Sequence, residues 1–164
     1  LEIPIDTVIE TAILSKDNGA IFILNPAPAC EIPDEIYPLV DYLTPNETEL
    51  QMLSGIGVSD IGSAEKAAKM LIEKGAQNVI ITLGEKGALL VNKNHTELYS
   101  TQKVAVVDTT AAGDSFNGAL AYSLANNVEL ADAICFANKV ASISVTRMGA
   151  QSSMPVLAEI MTVK

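Results

Sequence analysis

Basic residues are scarce in this chain. Lysine and arginine together number 10 against 20 aspartates and glutamates, a net charge of −10. Duplex and anionic-membrane binders carry a basic face, and none is visible, so neither nucleic acid nor a membrane is an expected partner. Long apolar runs are also lacking, since none approaches the roughly 20 residues that cross a bilayer. The opening Leu1-Glu2-Ile3-Pro4-Ile5-Asp6 has no starting Met and no basic leader, so it does not read as a signal peptide. It reads as the start of a chain cut from a longer one. Cysteine is limited to Cys30 and Cys135, far apart and among apolar residues. Two buried thiols in a reducing cytoplasm are the expectation. The single histidine, His95, closes the polar turn Asn92-Lys93-Asn94-His95 and is expected as a solvated loop residue, not a ligand. No internal repeat, low-complexity segment or long linker interrupts the chain.

What is present is a globular composition. With 164 residues, 49% hydrophobic and 18% charged, the chain can bury a substantial core and is expected to form one domain over 1–164. An acidic balance still admits a nucleotide, because Mg²⁺ and oriented N–H groups hold phosphates without many lysines. Helical and extended patterns alternate, which predicts an α/β fold with a mostly parallel sheet. A helix tail over 5–16 ends at Asn18-Gly19. Ala20–Leu24 is an apolar run suited to a strand buried on both faces, stopped by Asn25-Pro26-Ala27-Pro28. Val40–Leu43 is a short strand. A helix follows at Thr44-Pro45-Asn46-Glu47, with Thr44 as cap, Pro45 at the first position and Glu47 completing a capping box.

Farther along, Ala64, Ala67, Ala68, Leu71 and Ile72 recur at helical spacing, and Gly75 closes that helix. Asn78–Leu83 is a buried strand. Ala88–Val91 and Glu97–Ser100 form a hairpin, and Val104–Val107 a last strand. Phe116, Ala119, Leu120, Ser123 and Leu124 mark a helix face ending near Asn126-Asn127. Residues 129–146 form a deeply packed helix. Pro155–Met161 is a short terminal helix with Ser153 as a cap.

The most informative stretch is Val107-Asp108-Thr109-Thr110-Ala111-Ala112-Gly113-Asp114-Ser115-Phe116. A strand ends, small residues turn the chain, and a helix begins. The first N–H groups of a helix lack internal partners and carry about half a positive charge. Ala111, Ala112 and Gly113 have no bulk to keep an anion away. A phosphoryl group in transfer would be stabilised there. Asp114, in the same turn, suits the proton of an attacking hydroxyl. It equally suits a first-turn acid that only complements the dipole. Thr82-Leu83-Gly84-Glu85-Lys86-Gly87 leaves a strand through a glycine-bounded turn, fit either for a nucleotide or for an ordinary strand end. Asn46 and Glu49 lie three apart on one helix face, fit either for Mg²⁺-bound water or for a solvated, capped first turn.

Taken in order, these segments resemble the ribokinase-like carbohydrate kinase family. The resemblance rests on Asn25–Pro28, on Thr44-Pro45-Asn46-Glu47-Thr48-Glu49, and on Ile81–Gly84 with Gly87. It continues through Asp108-Thr109-Thr110-Ala111-Ala112-Gly113-Asp114-Ser115-Phe116-Asn117-Gly118 and Val145–Gln151, and it spans nearly the whole chain. The Asn25–Pro28 run and the Gly149-Ala150-Gln151 end are similar to the ribokinase branch more than to fructokinases or adenosine kinases. The resemblance implies a three-layer α/β/α fold and ATP-dependent phosphorylation of D-ribose at its 5-hydroxyl, with Mg²⁺ and an activating K⁺, in the cytoplasm. It implies Asp114 as general base, with Ala112 and Gly113 as anion hole. Asn46, Thr82, Gly84, Gly87, Gly113 and Asn138 match nucleotide-binding positions. Glu49 matches the Mg²⁺ position. Asp108, Thr110, Ser144, Arg147, Gly149 and Ser153 match the K⁺ loop. The family's N-terminal strands, its sugar-binding glycine signatures and the β-lid through which it dimerises are expected to be absent from this chain. Two alternatives stay open: a related kinase of another sugar or nucleoside, and a nucleotide-binding piece without catalysis.

Overall fold

The structure is a computed structural model that describes residues 1–162. The chain packs as two compact units, Leu1–Leu83 with Leu89–Leu98, and Gly84–Ala88 with Tyr99–Lys164. No helix among the described residues is long and apolar enough to cross a membrane.

The first unit begins with α1 (Ile5–Asp17), which buries Val8 and Ala12 and ends where Gly19 takes a φ of 66°. Strand β1 (Ile23–Leu24) pairs in parallel with β2 (Tyr42–Leu43), and β2 in parallel with β3 (Asn78–Thr82). β4 (Ala88–Asn92) and β5 (Thr96–Tyr99) extend the sheet in the order β1-β2-β3-β4-β5. Two helices, α2 (Glu47–Ser54) and α3 (Ile61–Glu73), pack with each other and with β3. All five residues expected on the α3 face, Ala64, Ala67, Ala68, Leu71 and Ile72, are buried. Gly75 follows α3 with φ 123°, and a Cβ there would stand 2.8 Å from Pro38 Cγ, so only glycine fits. Beneath the same loop Tyr37 is buried, which pushes its hydroxyl up to about 12, with Asp34 adding to the effect.

The second unit is built on α4 (Ala112–Ala125) and α5 (Leu130–Ser144), which pack on each other, with α6 (Leu157–Thr162) against α5. The expected α4 face is buried in full: Phe116, Ala119, Leu120, Ser123 and Leu124. α4 ends at Asn126, and Asn127 takes a φ of 57°, a conformation asparagine tolerates.

Five expectations are corrected. The helix cap is Asn46, not Thr44. Thr44 is buried and its N–H donates to the Leu24 carbonyl, while Asn46 still bridges Thr82, so the chain stays extended until Asn46. The strands expected at Ala20–Leu24 and Val40–Leu43 shrink to Ile23–Leu24 and Tyr42–Leu43. Val104–Val107 is not a strand; Val104, Val106 and Val107 are all exposed, because β propensity forms a strand only where a partner strand pairs with it. Cys30 and Cys135 are both exposed, and no disulfide is present among the described residues. Ser153 caps no helix. It is buried in a 3₁₀ turn (Gln151–Ser153) with its hydroxyl on the Ala150 carbonyl, and α6 starts only at Leu157. His95 is where it was expected, exposed in its turn, with Nε2 2.7 Å from Glu97 Oε2.

Candidate active site

The turn before α4 has the shape its sequence calls for. Ala111 adopts the left-handed conformation, φ 60° and ψ 16°, and the helix begins at the next residue. Alanine is an uncommon occupant of that region, which glycine and asparagine enter more readily. Ala112 N–H donates to the Thr109 carbonyl at 3.2 Å and Ser115 N–H to the Ala111 carbonyl at 2.9 Å. Among the described residues no acceptor meets the N–H groups of Gly113 and Asp114. The open donors of this helix end are therefore those of Gly113 and Asp114, and the Ala112 amide is already engaged. Asp114's own N–H had no role in the sequence reading, because only coordinates show which amide of a turn is used locally. Gly113 and Asp114 are exposed, and a Cβ on Gly113 would meet nothing within 4 Å. An anion can therefore approach this backbone closely.

Asp108 fixes the turn. Its Oδ1 accepts from Thr110 N at 2.9 Å and Thr110 Oγ1 at 2.7 Å, and its Oδ2 from Gly149 N at 2.9 Å. These bonds, the Thr110 hydroxyl first and then the Gly149 and Thr110 amides, pull the carboxyl down to about 2. The N–H groups of Val107 and Asp108 donate to the Val145 carbonyl, and Arg147 N–H to that of Ser144. Direct bonds thus join Asp108 to Thr110 and Gly149, and the Val145 carbonyl ties this turn to the chain segment that holds Ser144 and Arg147. Ser153 lies further along the same stretch, its hydroxyl turned to Ala150.

Beside Asp114 a cleft of about 230 Å³ opens against Ser115, Gly118, Tyr122, Phe136 and Leu157. Its walls are largely apolar. A sugar bears a hydroxyl on nearly every carbon and needs polar partners that this cleft does not offer. Asp114 and Tyr122 are the polar exceptions in its lining, and Ser115 Oγ lies buried with no hydrogen-bond partner among the described residues.

In the first unit Asn46 and Glu49 form a reciprocal capping box. Asn46 N–H donates to Glu49 Oε2 at 2.8 Å, and Glu49 N–H to Asn46 Oδ1 at 2.9 Å. Glu49 is buried and Asn46 exposed, so the turn is capped but only half solvated. Thr82 lies against Asn46 as its bridge partner. Gly84 and Gly87 bound a 3₁₀ turn in the second unit, with φ of 57° and 98°. Asn138, on α5, is buried and donates Nδ2 to the Tyr99 carbonyl at 2.8 Å. Among the described residues no group of three or more histidines, cysteines or acids is arranged to hold a metal ion.

These features define a class. The pfkB family carbohydrate kinase model matches residues 1–157, and the chain belongs to that family. Within it, the similarity is to ribokinases. The chain is 42% identical to the ribokinase of Staphylococcus aureus over 161 residues, covering 98% of this chain and 53% of that protein. The crystal structure of ribokinase from Thermotoga maritima superposes with a TM-score of 0.89 at 48% identity, covering 98% of this chain and 53% of that one. Arabidopsis thaliana ribokinase complexed with ribose and ATP gives 0.93 at 32% identity, covering 98% and 52%. The fold is therefore the ribokinase-like α/β/α fold, and the chain spans about half the length of these relatives.

Proposed function

We propose that residues 1–164 are the C-terminal, nucleotide-binding and catalytic part of a kinase that transfers the γ-phosphoryl group of ATP to the 5-hydroxyl of D-ribose, giving D-ribose 5-phosphate. One observation supports the reading: a helix end whose Gly113 and Asp114 N–H groups meet no acceptor among the described residues, with an exposed carboxylate in the same turn. The open amides hold the oxygens of the terminal phosphate, which gain charge as the group transfers. Asp114 takes the proton of the 5-hydroxyl while its oxygen bonds to phosphorus. The bond to the bridging oxygen breaks, and ADP leaves with the electron pair.

The remaining residues fit supporting roles. Thr82, Gly84 and Gly87 border the nucleotide, and Asn138 belongs to the same site. Mg²⁺, which neutralises phosphate charge, suits a donor set of one carboxylate with water and phosphate oxygens. Glu49, fixed by Asn46 through the capping box, would supply that carboxylate. A monovalent cation such as K⁺ suits the carbonyl-rich turn of Thr110, Ser144, Arg147 and Gly149, with Asp108 kept charged and Ser153 alongside. The sugar is held largely by residues other than these, in keeping with the apolar cleft beside Asp114. Dimer formation and a cytoplasmic setting belong to the same reading.

The test is calorimetric titration of this chain with Mg-ATP and Mg-ADP. It is paired with a coupled assay on the chain and on the full-length protein, offered D-ribose, D-fructose or adenosine. Nucleotide binding by the chain and ribose-dependent turnover by the full protein are expected. A chain that binds no nucleotide overturns the reading. Preference for fructose or adenosine moves the specificity to a related kinase. Binding without turnover in the full protein leaves a nucleotide-binding role alone.

A further inference from the structure

A peptide unit is planar, so whatever holds its carbonyl also fixes where its N–H points. The open N–H of Asp114 shares its peptide with the Gly113 carbonyl. That carbonyl accepts Nδ2 of Asn117 at 2.9 Å. Gly113 lies inside α4, where helix geometry also gives its carbonyl the backbone N–H of Asn117. One half-buried residue thus grips the far end of this peptide twice. Gly113 itself adds no restraint, since it has no side chain and a Cβ built there would meet nothing within 4 Å. Helix formation does not ask for asparagine at this interior position, where alanine is the better former. Such a local conflict is expected at functional sites.

From this arrangement we infer that Asn117 is a positioning residue for the phosphate-binding helix end, acting through the Gly113–Asp114 peptide. The inference rests on the proposed reading of that helix end. Linked hydrogen bonds polarise one another, so a donor at the Gly113 carbonyl makes the Asp114 N–H a stronger donor. It also limits tilting of the peptide plane. The backbone bond remains in any variant, so loss of the side-chain donor loosens the peptide without freeing it, and the effect is graded.

Two substitutions separate positioning from helix stability. Asn117→Ala removes the donor and improves helix propensity; Asn117→Ser keeps a donor at lower propensity. A hydroxyl reaches the carbonyl four residues back elsewhere in this chain, from Thr11 to Thr7 at 2.7 Å, from Ser15 to Thr11 at 2.8 Å and from Ser54 to Leu50 at 2.7 Å. A role in helix stability alone ranks Asn117→Ala above Asn117→Ser, and positioning ranks them in the opposite order for rate. The measurements, on the full-length protein, are the single-turnover rate with Mg-ATP and D-ribose, an ADP titration and a thermal melt. The ¹⁵N shift of the Asp114 amide without nucleotide is added, because that nitrogen is bonded to the Gly113 carbonyl carbon. Asn117→Ala should lose about three- to tenfold in rate, the scale of one net hydrogen bond. Its ADP affinity should stay within about twofold, since ADP lacks the phosphate that these amides hold. It should melt no lower than Asn117→Ser, which should keep most of the rate. The Asp114 resonance should move further in Asn117→Ala than in Asn117→Ser. A parental rate in Asn117→Ala, or an Asp114 resonance that does not move there, overturns the inference. Equal losses of rate in both variants also overturn it, because they assign the effect to another contact of Asn117. So does a loss of ADP affinity as large as the loss of rate. Absence of phosphoryl transfer by the unaltered protein overturns the reading of the site itself, and the Asp114 resonance then still decides whether Asn117 holds the peptide.

Discussion

Asp114→Asn separates chemistry from folding. Asp114 is the third residue of α4, exposed, and no hydrogen bond or ion pair holds its side chain among the described residues. Replacing its carboxylate by an amide of the same shape removes only the interaction of a negative charge with the helix end, about 0.3–1 kcal/mol. A general base contributes roughly 10²–10⁴-fold to rate, which is about 2.7–5.4 kcal/mol in the barrier. The chemical loss therefore exceeds the folding loss several-fold, and one variant can show both. The assay is turnover of D-ribose with Mg-ATP by the full-length protein. It includes single-turnover kinetics, so that slow product release does not hide the step. A thermal melt and an ADP titration accompany it. Expected are a fall of at least about 100-fold in the single-turnover rate, a nearly unchanged melting temperature and retained ADP affinity. A rate within about threefold of the parent, against the 10²-fold minimum for a lost base, would refute the role of Asp114 whatever the melt shows.

Four further outcomes are open to measurement. Asn46→Ala and Glu49→Ala each break the α2 capping box and should cost about 1 kcal/mol in urea unfolding. The double variant should cost less than their sum, since both bonds belong to one box. Gly87→Ala places a methyl against the Tyr99 carbonyl at a φ of 98° and should destabilise by more than about 2 kcal/mol. Gly113→Ala, where nothing lies within 4 Å, should fold at least as well as the parent. The Asp108 carboxyl should titrate near about 2 in the folded chain instead of at its ordinary 3.8. Its stabilising effect is then full above about pH 4 and is lost as the pH falls through about 2, because the folded form is the weaker proton binder. Carboxyl-carbon NMR checks this, and an ordinary midpoint would contradict the three hydrogen bonds.

What could be read from the sequence was local. The α3 face from Ala64 to Ile72 and the α4 face from Phe116 to Leu124 were legible because helical spacing is a property of a single segment, and both faces are buried as expected. The turn before α4 was legible for the same reason. What was not legible depends on partners distant in the chain. Val104–Val107 has the composition of a strand, yet the described residues supply no pairing partner. Thr44 and Asn46 are both good caps by residue type. The choice between them is made by Leu24 and Thr82, which hold the chain extended through Asn46. The hydrogen bond that occupies the Ala112 amide, and the contact that ties Asn138 to Tyr99, leave no trace in residue spacing.

The capping box also bears on the two readings of Asn46 and Glu49, as helix cap or as support for a metal ion. These are not exclusive. The box uses Oε2 of Glu49 and Oδ1 of Asn46, and it fixes both side chains in one rotameric state at the start of α2. A carboxylate already held by one oxygen presents its other oxygen without further loss of side-chain entropy. Burial of Glu49 makes that orientation more costly to change. If Glu49 supports Mg²⁺, Asn46→Ala should therefore weaken Mg²⁺-dependent nucleotide binding as well as stability, although Asn46→Ala leaves the Glu49 carboxylate in place. Glu49→Gln, which keeps the reciprocal cap but not the charge, should lower Mg²⁺ dependence with little change in the unfolding midpoint. If both variants change stability alone and leave the Mg²⁺ response intact, the box is a cap and nothing more.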